Sequence, residues 1–470
     1  MMGARVTVNG ETLASRYDGV SITALAGLSF DWGRESIYEE VDPGILRFRV
    51  VDRDGTWSTD AQRVGQAVTV ERTGPDAVIF RGTIASAKAK REKVRNPSTR
   101  VREPVWIVEV QAASTLADLG MAVFAGNSGA NTVEGIGGWS EGGPTGRINT
   151  LLAAGANSIV SDIERPNLLN GMNPPITSRL RAVDAKDGTT ALELVETIYK
   201  CRPLGFVDYD PETNAISLGK LSVASNVVLT YTGGRTSIVL PTGRVIDARK
   251  VATPEGYQAQ TTVADAIDVV EHDYSWYGKD PALSAGSQKR TTYIERVIQA
   301  STARANGRSR RVLKIKSGVI TLDATEFGYD VGPTNAYPGW LLAEAVKVVN
   351  SINNQLRLPV LRFDDKRLPL ADASLVELIY RPMSTTAPLY FAGSVFNTLR
   401  NAGPQYQVIG GTLTYDDGWT HDVILAPARS TQRDALTWGA TFGSSTATWA
   451  GFYDSITWND FNTITTGLPA

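Results

Sequence analysis

Cysteine is almost missing from this chain of 470 residues. Cys201 stands alone, which excludes an internal disulfide framework and any zinc site built from several thiolates. Histidine is nearly as scarce: His272 and His421 are the only two, and neither lies in H-E-x-x-H or another metal-ligand spacing. Near-neutral acid–base chemistry therefore has few carriers. Charge of one sign is lacking as well, since 47 Lys and Arg face 49 Asp and Glu, a formal charge of -2 that gives no global field for a polyanion or an acidic membrane. No run approaches the roughly 18 apolar residues of a membrane span. The opening MMGARVTVNGETLA lacks the apolar core of a signal peptide, so synthesis in the cytoplasm is expected, with no membrane partner.

What is present reads as a folded, mostly β chain. The length suggests two to four domains. In the first hundred residues apolar side chains alternate over short runs between Gly, Pro and Asp clusters: Val6 and Val8; Leu46, Phe48 and Val50; Val68 and Val70; Ile79 and Ile84; Trp106, Val108 and Val110. Short strands at this spacing suggest a sandwich or small barrel over residues 1–115. An α/β insert is expected over 116–235. One helix there is capped by Thr145, with Ile148, Leu151 and Leu152 on one face. A second opens at Thr189 or Thr190 and carries Leu192, Val195, Ile198 and Tyr199. The stretch GFVDYDPETNAISLG reads as a hairpin turning at Asp-Pro-Glu-Thr-Asn.

A second β barrel is expected over 236–430. It contains one amphipathic helix near 338–352, a long loop around 271–290, and late strands at LVELIYRP, PLYFAGSVF, YQVIGGTLTY and WTHDVILAP. Asp417-Gly418 between the last two is a hairpin-turn signal. Overall the fold class is mainly β (α+β): two β-barrel or sandwich domains, an α/β insert and an extended C-terminal segment.

No catalytic constellation is legible. The nucleophile elbow and P-loop patterns are absent, and GGPTGRIN at 142–149 lacks the Lys-Ser/Thr ending of a phosphate cradle. Acid pairs such as Glu39-Glu40 and Asp416-Asp417 read as solvated turns, and His421 as a structural strand histidine. The chain is expected to be no enzyme, with no catalytic, cofactor-binding or metal residues. Two local basic stretches stand out: KAKREKVRNPSTRVR from Lys88 to Arg102, and RANGRSRRVLKIK from Arg304 to Lys316. The first reads as a long solvated hairpin loop whose Lys88, Lys90, Arg91, Lys93 and Arg95 are available to an acidic partner.

Beyond residue 430 the composition shifts to Ser, Thr, Gly and Trp. Thr-Trp recurs at Trp438, Trp449 and Trp458, at spacings of eleven and nine residues that fit neither one helix face nor one strand. Tryptophan combines a large apolar area with a polar edge, so residues 431–470 read as an arm with three anchor points for a partner; Trp419 joins them as an interface candidate. The competing readings are an arm folded back on its own barrel and exposed rings that stack on glycans.

The stretch EVDPGILRFRVVDRDGTWS, Gly65-Gln66 before AVTVE, and Phe80-Arg81-Gly82-Thr83-Ile84 carry a resemblance. So do, in order, TGRINTLLAAG, TTALELVETIY and VIGGTLTYDDGWTHDVILAP. Together they resemble the minor tail proteins of long-tailed actinobacteriophages, of the baseplate-hub or tail-tip-hub family. The resemblance implies a non-enzymatic homotrimer at the tail tip of the virion. Its two barrels per chain would form a ring that adapts the tail tube to distal parts. That ring would line a channel for the tape measure protein and then for DNA, which passes without specific binding. It implies contact with the distal tail protein and other minor tail proteins, and it lets the Lys88–Arg95 stretch face the lumen or a partner. A receptor- or glycan-binding tail protein and a hexameric distal tail protein are the alternatives.

Overall fold

In a computed structural model the chain divides between Ser430 and Thr431 into two compact units. The structure describes residues 3–35, 39–59, 63–73, 76–123, 143–166, 177–180, 189–200 and 205–219. Beyond these it describes the strand segments 227–232, 235–239, 245–247, 251–252, 269–279, 290–300, 312–323, 361–364, 388–393 and 405–427.

The N-terminal strands are β1 (Gly3–Val8), β2 (Glu11–Thr12), β3 (Thr23–Gly33), β4 (Asp42–Asp52), β5 (Ala67–Thr73), β6 (Ala77–Arg95) and β7 (Arg102–Ser114), with a one-turn helix α1 (Thr56–Thr59) after β4. Their ladders are antiparallel, in the order β3-β4-β7-β6-β5-β1-β2. The period-2 pattern explains the pairing, because Val6, Val8, Leu46, Phe48, Val50, Val68, Val70, Ile79, Ile84, Val108 and Val110 all point into one buried cluster. The turn after β4 closes on a carboxylate: buried Asp52 accepts backbone N–H bonds from Gly55, Trp57 and Ser58 at 3.0 Å each, which starts α1 and seats Trp57 against Phe48.

The α/β unit follows, with α2 (Thr115–Met121), α3 (Pro144–Ala153), β8 (Asp162–Ile163), β9 (Thr177–Leu180), α4 (Ala191–Tyr199), β10 (Phe206–Asp210) and β11 (Ala215–Gly219). Helix α4 opens on a full capping box: Thr190 accepts from the Glu193 N–H, and the Glu193 carboxylate accepts from the Thr190 N–H. Leu194, Val195, Ile198 and Tyr199 face inward at helical spacing, each contributing about 1.5–3 kcal/mol by burial. Helix α3 differs from expectation, since Gly143 caps it and Pro144 occupies its first turn, where the missing N–H costs nothing. The expected hairpin is β10–β11, and β8 pairs with it in parallel.

The remaining strands are β12 (Val227–Thr232), β13 (Arg235–Val239), β14 (Val245–Asp247), β15 (Val251–Ala252), β16 (Val269–Lys279), β17 (Arg290–Ala300), β18 (Val312–Asp323), β19 (Leu361–Asp364), β20 (Pro388–Gly393), β21 (Gln405–Tyr415) and β22 (Trp419–Pro427). Residues 269–279, read from sequence as part of a loop, form a strand flanked on both sides, by β17 and by β18. The expected helix at 338–352 and the strand LVELIYRP lie outside the described residues.

Two β-barrel or sandwich domains were expected, and among the described residues the last strands are joined to the first sheet. Strand β21 pairs along Gly410–Tyr415 with Gly33–Leu28 of β3, on one side, and with β22 on the other. The last strands thus complete the first sheet across almost 400 residues. Strand β12, expected inside the α/β insert, also belongs to this sheet through its parallel pairing with β20. Among the described residues no ladder closes the sheet into a barrel. Instead the Trp419 indole N–H reaches across to the Gly3 carbonyl at 3.1 Å, so one side chain spans the gap between β22 and β1.

The two-glycine run in β21 permits this junction. Trp32 of β3 and His421 of β22 flank Gly411, and the Trp32 indole N–H donates to His421 Nε2 at 3.0 Å, a buried hydrogen bond that crosses β21 where it has no side chain. His421 is structural, as its strand position suggested.

Candidate assembly surface

Strand β6 is much longer than its neighbour β5. Their ladder ends at Thr83, whereas the ladder with β7 runs on to Arg95 opposite Arg102. A bulge at Ala85 marks the change, and beyond it β6 and β7 run on as an arm of the sheet, backed by β4 as far as Arg91 opposite Trp106 and two-stranded only from Glu92 to Arg95. On the side away from β7, no described strand pairs with residues 86–95.

Lys88, Lys90, Arg91, Lys93 and Arg95 all lie on this arm and are exposed. They belong to a regular strand and not to the solvated loop expected from sequence. A run of alternating charges carries no burial pattern, and pairing with β7 alone sets its conformation. Lys90 bridges Glu92 at 2.9 Å and Glu109 at 3.5 Å; exposed pairs of this kind add little stability. The Arg91 guanidinium lies 6.0 Å from the Trp106 ring centre.

The arm's tip is held by contacts that sequence reading missed. Asn96 Oδ1 accepts from the N–H groups of Ser98 and Thr99, closing the turn, while its amide donates to the Gly19 carbonyl at 3.2 Å. The Ser98 hydroxyl donates to the Asp18 carbonyl at 2.7 Å, Tyr17 donates to Glu103, and Arg53 pairs with Glu103 at 3.3 Å. Burial, reinforced by the Glu103 carboxylate, pushes the Tyr17 hydroxyl up to about 12, so it remains a donor throughout the physiological range. The local signal was the Asn-Pro-Ser-Thr turn; its long-range partners had none. Under the tip, Val51, Val105 and Ile107 form a small second core with Tyr17 and Val94. Around it Val20, Ile22 and Val101 are more than half exposed.

A concavity of about 550 Å³ lies on the outer sheet face where β3 bulges at Ala26 and Gly27. Arg49, Glu109 and Lys88 stand side by side across its three strands by register, so the charge alternates in sign. That arrangement satisfies neighbouring strands and offers no nucleophile–base pair. Among the described residues no cluster of His, Cys, Asp or Glu is suited to hold a metal ion.

The α/β unit is fastened to the sheet by Arg34, whose guanidinium sits 3.7 Å from the Phe206 ring centre, by Arg81 donating to the Pro211 carbonyl at 2.6 Å, and by Lys200 paired with Glu40 at 3.2 Å. Beside this junction Glu196 of α4 is pushed up to about 7, chiefly by burial and then by the neighbouring Glu40 carboxylate. An unfolded glutamate ionises near pH 4.3. The folded chain therefore holds a proton that the unfolded chain releases, and the resulting stability is complete below about pH 4.5 and lost as pH rises through 7. After allowance for solvent screening of a partly exposed group, the unfolding free energy from chemical denaturation should fall by about 1–2 kcal/mol between pH 5 and 8. Glu196→Gln should flatten that slope; an unchanged slope would mean Glu196 is not its source.

The other candidate interface residues divide in two. Trp419 is a correction: it is fully buried against Tyr415, with ring centres 5.0 Å apart, and its indole is bonded to Gly3, so it has no surface left for a partner. Trp438, Trp449 and Trp458 lie outside the described residues.

No family model matches the chain, and no curated protein does. Among solved structures it is similar to a 43 kDa tail protein of prophage MuSo2 from Shewanella oneidensis. That match has a TM-score of 0.50 and 10% identity, and it covers 91% of this chain and 99% of the other. A tail protein from Neisseria meningitidis MC58 has a TM-score of 0.46 at 10% identity, covering 90% of this chain and 96% of that one. Prophage tail protein gp18 from Listeria monocytogenes EGD-e has a TM-score of 0.42 at 9% identity, covering 91% and 95%. At these identities the first likeness defines the fold: the chain is mainly β, with the fold of a phage tail protein.

Proposed function

We propose that this chain is a non-enzymatic structural component of a phage tail tip, the hub or a minor tail protein next to it. In this reading three copies form a ring that joins the tail tube to distal tip proteins and surrounds the path of the tape measure protein and DNA. The observation that carries the reading is the fold shared with the MuSo2 tail protein over nearly the full length of both chains. The near-balanced charge of the chain is compatible with a conduit, because a strongly basic lumen would retain the genome. Trp438, Trp449 and Trp458 serve in this reading as anchors on neighbouring tail proteins.

The test is a nonsense mutation early in the gene of the phage that encodes the chain. Purified particles should lack joined, infectious tails, and the chain should be present by mass spectrometry in wild-type virions. Complete infectious particles without the chain would reject the proposal.

A further inference from the structure

The β6–β7 arm leaves its outer strand unpaired among the described residues from Ser86 to Arg95, a length of about ten residues with a backbone donor and acceptor pointing outward at every second residue. We propose that this edge receives a strand from the Trp-rich segment, residues 431–470, of a second copy of this chain. The inference rests on the reading that copies of the chain assemble.

Three observations select this occupant. First, two β6 edges cannot pair with each other, because Lys88, Lys90, Arg91, Lys93 and Arg95 would meet their own kind against only Glu92. The same charges favour an acidic strand, and residues 431–470 carry one arginine, Arg433, against Asp434, Asp454 and Asp460. Second, the segment has the right local pattern. In Asp454-Ser455-Ile456-Thr457-Trp458-Asn459-Asp460 apolar Ile456 and Trp458 alternate with polar residues, and both ends are acidic. Third, the edge is shaped for bulky neighbours and is already rigid. Ala85, Ser86 and Ala87 leave space on both faces of the strand, while the tip is fixed to the 17–19 loop through Asn96, Ser98 and Glu103. A strand docking there orders only itself, which lowers the entropic cost of association.

Two substitutions in the full-length chain test this. Lys93 and Arg95 are exposed and make no ion pair among the described residues, so Lys93→Glu with Arg95→Glu should leave the fold intact while repelling Asp454, in an antiparallel docking that sets Asp454 opposite Lys93 and Asp460 opposite Ala87. Self-association measured by sedimentation should weaken by at least about tenfold. Adding Asp454→Lys should restore it. In a Cys201→Ser background, mixing an Ala87→Cys chain with an Asp460→Cys chain should give a disulfide between the two chains. Association that is indifferent to the charge reversal, or chains that associate without forming the cross-link between them, would overturn the docking and leave the tail-tip reading standing. A chain that stays monomeric would overturn both.

Discussion

A chain ending at residue 404 should fail to form a cooperative N-terminal fold. Cutting there removes β21, the only described partner of β3 on that side, together with Val408, Leu413, Trp419 and Val423, all buried in the main cluster. At about 1.5–3 kcal/mol for each fully buried side chain, the loss is on the order of 6–12 kcal/mol. That is comparable with the whole stability of an ordinary domain, about 5–15 kcal/mol. The truncated chain should therefore bind hydrophobic dyes and lack a sharp urea transition. A transition as steep as that of the full chain would mean that residues 3–114 close a core by themselves.

Gly411→Val should damage the sheet severely. A Cβ at this position would lie 2.3 Å from the Asp422 carbonyl oxygen and 3.2 Å from His421 Nε2. The first contact is with backbone that β22 holds in its ladder, so relief requires β21 and β22 to separate. The second falls on the imidazole that receives the Trp32 indole N–H. Overpacking costs about 1–3 kcal/mol, and stranding the buried donor adds about 1–3 kcal/mol. A loss of about 2–6 kcal/mol in chemical denaturation is the expected outcome. A loss below 1 kcal/mol would show that the crossing of Trp32 over Gly411 is not a constraint on the sheet.

Where burial alternates, the strands were legible: Val6 and Val8, or Leu46, Phe48 and Val50, show a period of two because one face meets the core and the other meets water. Helix α4 was legible to within one residue of its start, which was open between Thr189 and Thr190; the structure places the cap at Thr190, where Glu193 completes a local motif. The arm was not. Its residues Lys88 to Arg95 have almost no buried side, and a strand held by backbone pairing alone leaves no hydrophobic period in the sequence. Nor was the joining of β21 to β3, because a ladder between residues nearly 400 apart is written in no window of sequence. The Gly410-Gly411 pair was its one trace, and a glycine pair within a strand signals only that another backbone or ring comes close. Burial of Trp419 was illegible for a related reason: the sheet places it beside Gly3, more than 400 residues away in sequence.

The most direct test of the tail-tip account is native mass spectrometry of the purified full-length chain, paired with the rotational symmetry of the tail tip in particles. The account expects a species of three chains and three-fold density at the tip that contains it. Six chains in a six-fold ring would instead identify a distal tail protein, and a lone chain absent from the particle would contradict the account altogether.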